Sequence, residues 1–310
     1  MQAVSEAEGE LGVGSAAAFA ARVTARETEN FTVLAPFVPR ELRGDMGAVY
    51  AFCRGADDIA DAGGDEASRA AAIAELARWR EQLARCGSPV RAPGVELSPV
   101  FIALGETIRK HRMPTVFFEK LLSAFEEDQR VTRYSTWSEL VDYSKRSANP
   151  VGRICLWLAG HRWDVESDAM EPRLSMSDSV CTGLQLANFW QDVRRDLLDL
   201  DRVYMPFKET GLSAEELRAW AGQPATDDRR ERFAEAVKPL VERTRTLFRA
   251  GSMLPSMTAP WLARCVRLFA SGGVTVLDRV EDGGYSTLWK RPRVGKFAKM
   301  MLVAKELMRI

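Results

Sequence analysis

The chain has 310 residues, of which 46% are hydrophobic and 28% charged, and its 43 basic and 43 acidic side chains give a formal net charge of zero. This length and balance predict a sizeable globular core, and the lack of a basic excess disfavours a nucleic-acid-binding protein. Five dispersed cysteines without a CxxC pair indicate reduced thiols in a cytoplasmic protein, and two isolated histidines disfavour a zinc site or a Ser-His-Asp triad.

The distribution of helix-forming and turn-forming residues along the sequence predicts an all-α fold. Residues 1–17 are acidic and then rich in Gly, Ala and Ser, which indicates a flexible tail rather than a signal peptide. No apolar run approaches the roughly 18 residues that span a bilayer. Helix-forming residues then dominate, so we predict one helical domain over residues 18–300, with residues 301–310 ending the last helix. Capping boxes mark helix starts at Thr136–Glu139 and Ser213–Glu216.

The first chemically notable helix carries Arg54, Asp57, Asp58 and Asp61. Asp57 and Asp61 are four residues apart, so both carboxylates lie on one helix face, where like charges repel by roughly a few tenths of a kcal/mol. Arg54 can reach the same face. Two interpretations are open: a solvated acidic helix end before the turn at Gly63–Gly64, or a face that binds a divalent cation.

A second polar stripe favours the cation. Asn188, Asp192 and Asp196 follow at i, i+4 and i+8, and apolar residues flank them. Carboxylate and amide oxygens suit Mg²⁺, with Mn²⁺ as an alternative, and Mg²⁺ commonly bridges protein carboxylates to phosphate. Two such stripes on different helices predict a site that holds a diphosphate through metal ions and assists its departure.

These segments together resemble the squalene/phytoene synthase family, class I isoprenoid synthases with an all-α fold around a central cavity. The likeness covers nearly the whole chain. Glu29–Pro39 resembles the opening segment, Asp57–Asp61 the first Asp-rich motif and Tyr143–Gly152 the middle segment. Asn188–Asp196, followed by Arg202–Pro206, resembles the second motif. The resemblance implies an enzyme that ionises a prenyl diphosphate.

The resemblance also implies roles for the matching positions. The implied metal ligands are Asp57, Asp58, Asp61, Asn188, Asp192 and Asp196. The implied substrate-binding residues are Phe31, Arg54, Gln185, Asn188, Gln191, Arg202 and Tyr204. Tyr50, Tyr143 and Asn149 join the four motif aspartates as implied catalytic residues. The planar guanidinium of arginine can donate two hydrogen bonds to phosphate oxygens, and aromatic faces can stabilise a carbocation. The candidate tunnel residues are Phe31, Phe52, Phe125, Leu156, Leu184 and Phe189.

Several positions depart from the usual family pattern. Gln191 stands for an Arg, Arg195 for a Glu, Asn149 for a Gly, and Ser271–Gly273 for a stretch with a Tyr. This set resembles the hydroxysqualene synthase branch of bacterial hopanoid biosynthesis. That branch takes presqualene diphosphate, ionises it and traps the rearranged cation with water, which gives hydroxysqualene and diphosphate.

The extra polar residues Glu29, Asn149 and Gln191 suggest groups that orient the water, although drift at positions outside the site would give the same pattern. No GxGxxG motif follows a strand, and the branch implies no NADPH. Two rival functions stay open: condensation of two allylic diphosphates by a presqualene diphosphate, squalene or phytoene synthase, and a non-catalytic helical scaffold.

The basic segment Lys290–Arg293 and the lysines of the last helix also have two interpretations. They fit a peripheral membrane contact, which would suit an apolar product, or a solvated last helix with one buried face.

Overall fold

The computed structural model describes residues 36–87, 97–165, 167 and 171–307. Regular structure in this part of the chain is helical, apart from one isolated parallel bridge between Arg133 and Val203. The all-α prediction is therefore confirmed. No described helix is long and apolar enough to cross a membrane. The predictions for residues 1–17 and for Glu29 and Phe31 lie outside the described residues.

The helices are numbered here in chain order. They are α1 (Arg43–Ala60), α2 (Glu66–Gly87), α3 (Pro99–His111), α4 (Val116–Glu127), α5 (Trp137–Ser147), α6 (Asn149–Leu158), α7 (Pro172–Asp199), α8 (Phe207–Thr210), α9 (Ala214–Ala221), α10 (Asp227–Ala250), α11 (Pro260–Asp282) and α12 (Lys296–Leu307). Both capping boxes are confirmed, because the hydroxyls of Thr136 and Ser213 accept the backbone N–H groups of Glu139 and Glu216.

A first apolar cluster forms where α1, α2, α3, α4 and α6 pack together. Phe52 of α1 lies at its centre, fully buried, with its ring centroid 5.2–5.8 Å from those of Trp79, Phe101 and Phe118. Burying such a side chain contributes about 1.5–3 kcal/mol. This packing fixes which face of α1 is apolar, and the opposite face carries the aspartates.

A second apolar cluster surrounds the C-terminal half of α7, the longest described helix, which packs against α6, α10 and α11. Trp190 is fully buried there, and its indole N–H donates to Thr244 Oγ1 at 2.8 Å. Gly273 of α11 allows a close approach, since a Cβ at this position would overlap the Phe248 ring. Gly273, which lies in the stretch that departs from the family pattern, therefore has a packing role. The aspartate-bearing ends of the two helices thus pack into different clusters.

Candidate active site

The first aspartate motif lies at the C-terminal end of α1. Asp57 and Asp58 are about half exposed, and the Arg54 guanidinium pairs with both, at 3.2 Å and 2.6 Å respectively. Asp61 follows the last helical residue and is 22% exposed. Arg54, an implied diphosphate contact, therefore lies beside the carboxylates of its own helix in this structure.

The second motif lies on α7 and is more buried. Asp192 and Asp196 are 3% and 7% exposed, whereas Asn188, one turn earlier, is exposed. A buried carboxylate is costly unless a cation or hydrogen-bond donors compensate it. For Asp192 the compensation comes from Arg291, whose Nε and Nη2 contact the two carboxylate oxygens, the latter at 3.1 Å.

Two arginines, one from the second motif and one from the segment after it, reach Asp61 of the first motif. Arg195 Nη2 lies 2.6 Å from Asp61 Oδ2, and its Nη1 lies 3.7 Å from Asp196 Oδ1. Arg202 Nη1 lies 2.9 Å from Asp61 Oδ1, and its Nη2 donates to the Ala60 carbonyl at 2.7 Å. The structure therefore brings the two predicted aspartate motifs together, and one guanidinium, that of Arg195, touches both.

The carboxylates of the cluster perturb one another. The pKa of Asp57 is raised to about 6, first by desolvation and then by the charge of Asp61, against the pull of Arg54. The pKa of Asp196 is raised to about 8, first by burial and then by Asp192, against Arg195. Desolvation and neighbouring carboxylates thus disfavour ionisation of these two groups, a cost that a bound cation would lower.

The donor set fits Mg²⁺ held jointly with a diphosphate. All candidate ligands are oxygens, as Mg²⁺ prefers. No three acidic, His or Cys side chains among the described residues converge into a ready metal cage. Mg²⁺ sites rarely need one, because the ion is usually held by one or two carboxylates, waters and substrate phosphates. The residues that would hold it are Asp57, Asp61, Asp192 and Asp196.

A further acidic residue, Asp128, lies behind the motifs and was not predicted. It follows α4, is buried, and accepts hydrogen bonds from the hydroxyls of Tyr143 and Tyr204 at 2.7 and 3.2 Å. Burial raises its pKa to about 7, against Arg202 and the two hydroxyls. Burial lowers the pKa of Arg202, but Asp128 and Asp61 outweigh this and raise it overall. In the sequence Asp128 ends an acidic run, which gave no sign of a partner.

Arg291 and Arg195 were also absent from the predicted site. Arg291 lies in a non-helical stretch that precedes α12, which begins at Lys296. Gln191 donates to the Pro292 carbonyl at 2.8 Å and so holds this stretch against α7. The one available signal was Arg195 itself, an unusual residue beside a motif aspartate.

The other predicted residues are distributed around this centre. Tyr50 and Gln185 are half-buried on α1 and α7, and buried Asn149 accepts a hydrogen bond from the Thr182 hydroxyl at 3.0 Å. Among the tunnel candidates, Phe52, Phe125 and Leu156 belong to the first apolar cluster, and Leu184 and Phe189 to the second.

A cavity of about 10 Å³, the size of a single water, lies beside Asp196 of the second motif. Its lining includes Asp196, Arg202, Phe189 and Tyr204. The rings of Phe189 and Tyr204 are stacked, with centroids 3.8 Å apart and planes 3° from parallel. A carboxylate and a guanidinium thus lie beside two aromatic rings, and aromatic faces can stabilise a cation.

Comparison with known proteins identifies the family. The squalene/phytoene synthase profile matches residues 24–298. A hydroxysqualene synthase of Zymomonas mobilis is 34% identical over 58% of the chain, and the match spans only 55% of that enzyme. A presqualene diphosphate synthase of Rhodopseudomonas palustris is 25% identical over 86% of the chain and 88% of that enzyme.

Among solved structures, squalene synthase HpnC from Alicyclobacillus acidocaldarius superposes with a TM-score of 0.71 at 37% identity, covering 88% of this chain and 95% of that one. The helical fold, the meeting of the two aspartate motifs and the extent of the profile match agree. The chain belongs to the squalene/phytoene synthase family of enzymes that act on prenyl diphosphates.

Proposed function

We propose that this enzyme is a hydroxysqualene synthase, which converts presqualene diphosphate and water into hydroxysqualene and diphosphate. The observation that carries the proposal is the meeting of Asp61 and Asp196 at the Arg195 guanidinium, beside a cavity with an aromatic wall. The hydroxysqualene synthase relative supports the choice of branch. The four motif aspartates and their arginines form the diphosphate end of the site, and Phe189 and Tyr204 border the hydrocarbon end.

The first step is heterolysis of the carbon–oxygen bond, in which diphosphate leaves with the electron pair. Mg²⁺, when bound, supplies positive charge that neutralises the leaving group. Arg195 and Arg291 are 43% and 48% exposed, so their forks can turn from carboxylates to phosphate oxygens. Arg202 is only 5% exposed and stays with Asp61. Electrostatic stabilisation of the leaving group is the largest expected contribution.

The second step is capture of the rearranged cation. We assign Phe189 and Tyr204, which line the cavity beside Asp196, as the aromatic residues nearest to the cation, where ring electron density would stabilise its charge. One water oxygen forms the new carbon–oxygen bond, and the water releases one proton to solvent, so the reaction consumes no reductant. The water-orienting roles of Asn149 and Gln191 stay predictions. Both side chains hydrogen-bond to protein groups, so each would act with its remaining polar atom.

Product analysis tests the proposal. The purified chain is incubated with Mg²⁺ and presqualene diphosphate without NADPH, and the products are identified by mass spectrometry. We expect hydroxysqualene and one diphosphate per turnover. Squalene or phytoene as the main product, or product formed from farnesyl or geranylgeranyl diphosphate alone, would assign a condensing reaction. No diphosphate release from any prenyl substrate would indicate a scaffold.

Variants of the motif aspartates test the assigned roles. Asp57→Asn and Asp192→Asn should each lower kcat by roughly a hundredfold or more, as loss of a key charge in an active site does. The matched control is Asp142→Asn, because Asp142 is an exposed aspartate that pairs only locally, with Lys145. Near-normal turnover in either motif variant, with the fold intact, contradicts the assignment.

Peripheral membrane contact is a subsidiary part of the proposal. Met300, Met301 and Leu307 of α12 are 59%, 51% and 53% exposed, and Lys290 and Arg293 nearby are exposed cations. Apolar and basic groups in proximity suit an anionic lipid surface. Co-sedimentation with anionic vesicles should fall when Met300 and Met301 are both changed to Ser. Equal binding of the two forms contradicts this contact.

A further inference from the structure

Asp128 receives three groups from two other parts of the fold. Tyr143 of α5 donates to Oδ2 at 2.7 Å, and Tyr204, in the segment after α7, donates to Oδ1 at 3.2 Å. Arg202 Nη1, from that same segment, lies 3.9 Å from Oδ2. The carboxylate is 4% exposed, so these contacts replace its hydration. Asp128 therefore acts as a buried junction between α4, α5 and the segment that follows the second motif.

The Arg202 guanidinium is shared between Asp128 and the first motif. The same Nη1 that faces Asp128 lies 2.9 Å from Asp61 Oδ1. A buried guanidinium requires nearby negative charge, because its desolvation is costly. If Asp128 did not supply part of that charge, Asp61 alone would have to. The charge that Asp61 can offer to another cation thus depends on Asp128.

Gln129, the residue after Asp128, also contacts the C-terminal end of α1. The Gln129 amide donates to the Ala60 carbonyl at 3.2 Å and to the Phe125 carbonyl at 3.0 Å. Arg202 donates to that Ala60 carbonyl as well, at 2.7 Å. Gln129 therefore holds the C-terminal end of α1 directly, and Asp128 holds it through Arg202. Asp61 is the residue that follows this end.

We propose that Asp128 is a positioning residue that holds Arg202 between two carboxylates, so that Asp61 is oriented but not fully neutralised and keeps its affinity for a divalent cation. The same carboxylate fixes the Tyr143 and Tyr204 hydroxyls and thereby the ring of Tyr204 against Phe189. Asp128 touches neither metal nor substrate in this role. It acts on the metal end through Arg202 and on the hydrocarbon end through Tyr204.

The test is an Mn²⁺ titration by electron paramagnetic resonance on the full chain with inorganic diphosphate present, at about pH 8, where most of the Asp128 population is ionised. Asp128→Asn should bind Mn²⁺ about tenfold more weakly, because Arg202 then draws on Asp61 alone. Asp128→Glu should recover part of the affinity. In turnover assays the Asn variant should lower kcat more than it changes KM.

The matched control is Asp45→Asn. Asp45 is also a buried aspartate, but it lies at the N-terminal end of α1. It pairs there with Lys110 and His111 at 2.7 and 2.9 Å. This substitution should cost stability but leave Mn²⁺ affinity unchanged. Wild-type Mn²⁺ affinity in Asp128→Asn, or an equal loss in Asp45→Asn, overturns the proposal.

Tyrosine variants keep the proposal testable if Asp128→Asn does not fold. Tyr204→Phe removes one donor to Asp128 and should weaken Mn²⁺ binding a few-fold. Tyr134→Phe is the control, because Tyr134 stacks on Tyr204 but its buried hydroxyl has no hydrogen-bond partner in the described residues. Equal affinities in the two variants overturn the proposal.

The kcat readout rests on the proposed function, whereas the Mn²⁺ titration does not. Normal Mn²⁺ binding by the wild type without hydroxysqualene formation would refute the proposed reaction. The Asp128 proposal would then still be decided by the Mn²⁺ affinities of the Asp128 and Tyr204 variants.

Discussion

Arg291→Gln tests whether the Arg291 guanidinium occupies the position at Asp192 that a metal ion would otherwise take. Asp192 is 3% exposed and both its oxygens contact Arg291, which is 48% exposed. A charge pair at about 4 Å is worth about 4 kcal/mol near a protein surface, and the half-exposed arginine lowers this to roughly 1–2 kcal/mol. The metal-free variant should therefore unfold roughly 2–6 °C below the wild type.

Added Mg²⁺ should reverse this loss. In the variant the ion does not compete with a guanidinium for Asp192, so Mg²⁺ should raise the melting temperature more than in the wild type. The assay is thermal unfolding by circular dichroism with and without Mg²⁺. Arg279→Gln is the control, because Arg279 forms an exposed pair with Asp282 on α11. An equal Mg²⁺ shift in wild type and Arg291→Gln would refute the reasoning.

Two further predictions concern packing and pH. Gly273→Ala should destabilise the protein by roughly 1–3 kcal/mol, because its Cβ would overlap Phe248, whereas Gly272→Ala, with open space, should stabilise it by about 0.5–1 kcal/mol in denaturant unfolding. Equal effects would contradict the close approach. The pKa of Asp128 is raised to about 7, so its stabilising contribution is full below its ordinary pKa and is lost as pH rises through about 7. The unfolding free energy of wild type relative to Asp128→Asn should therefore fall between about pH 4 and pH 7 and level off above it, and a constant difference would contradict the raised pKa.

Local patterns predicted the features that depend on neighbouring residues. The helix starts at Thr136 and Ser213 follow from side chains that cap their own helices. The shared face of Asp57 and Asp61 follows from helical spacing alone. The same periodicity places Asp192 and Asp196 in one line on α7, and two oxygen-rich lines suffice to suggest a metal and diphosphate site.

The partners of those aspartates could not be predicted, because tertiary packing supplies them. Arg195 and Arg202 reach Asp61 across 134 and 141 residues, and Arg291 reaches Asp192 across 99. Asp128 has no periodic partner, and its role appears only when α5 and the segment after α7 close over it. The basic segment at residues 290–293 suggested a surface function, whereas Arg291 lies on the second motif.

Isotopically labelled water tests the central claim most directly. The purified chain, Mg²⁺ and presqualene diphosphate are incubated in water enriched in the heavy oxygen isotope, and the triterpene product is analysed by mass spectrometry. Water capture predicts hydroxysqualene with one heavy oxygen in its hydroxyl group, formed without NADPH and absent in Asp192→Asn. An unlabelled alcohol or a hydrocarbon product would contradict the proposed reaction.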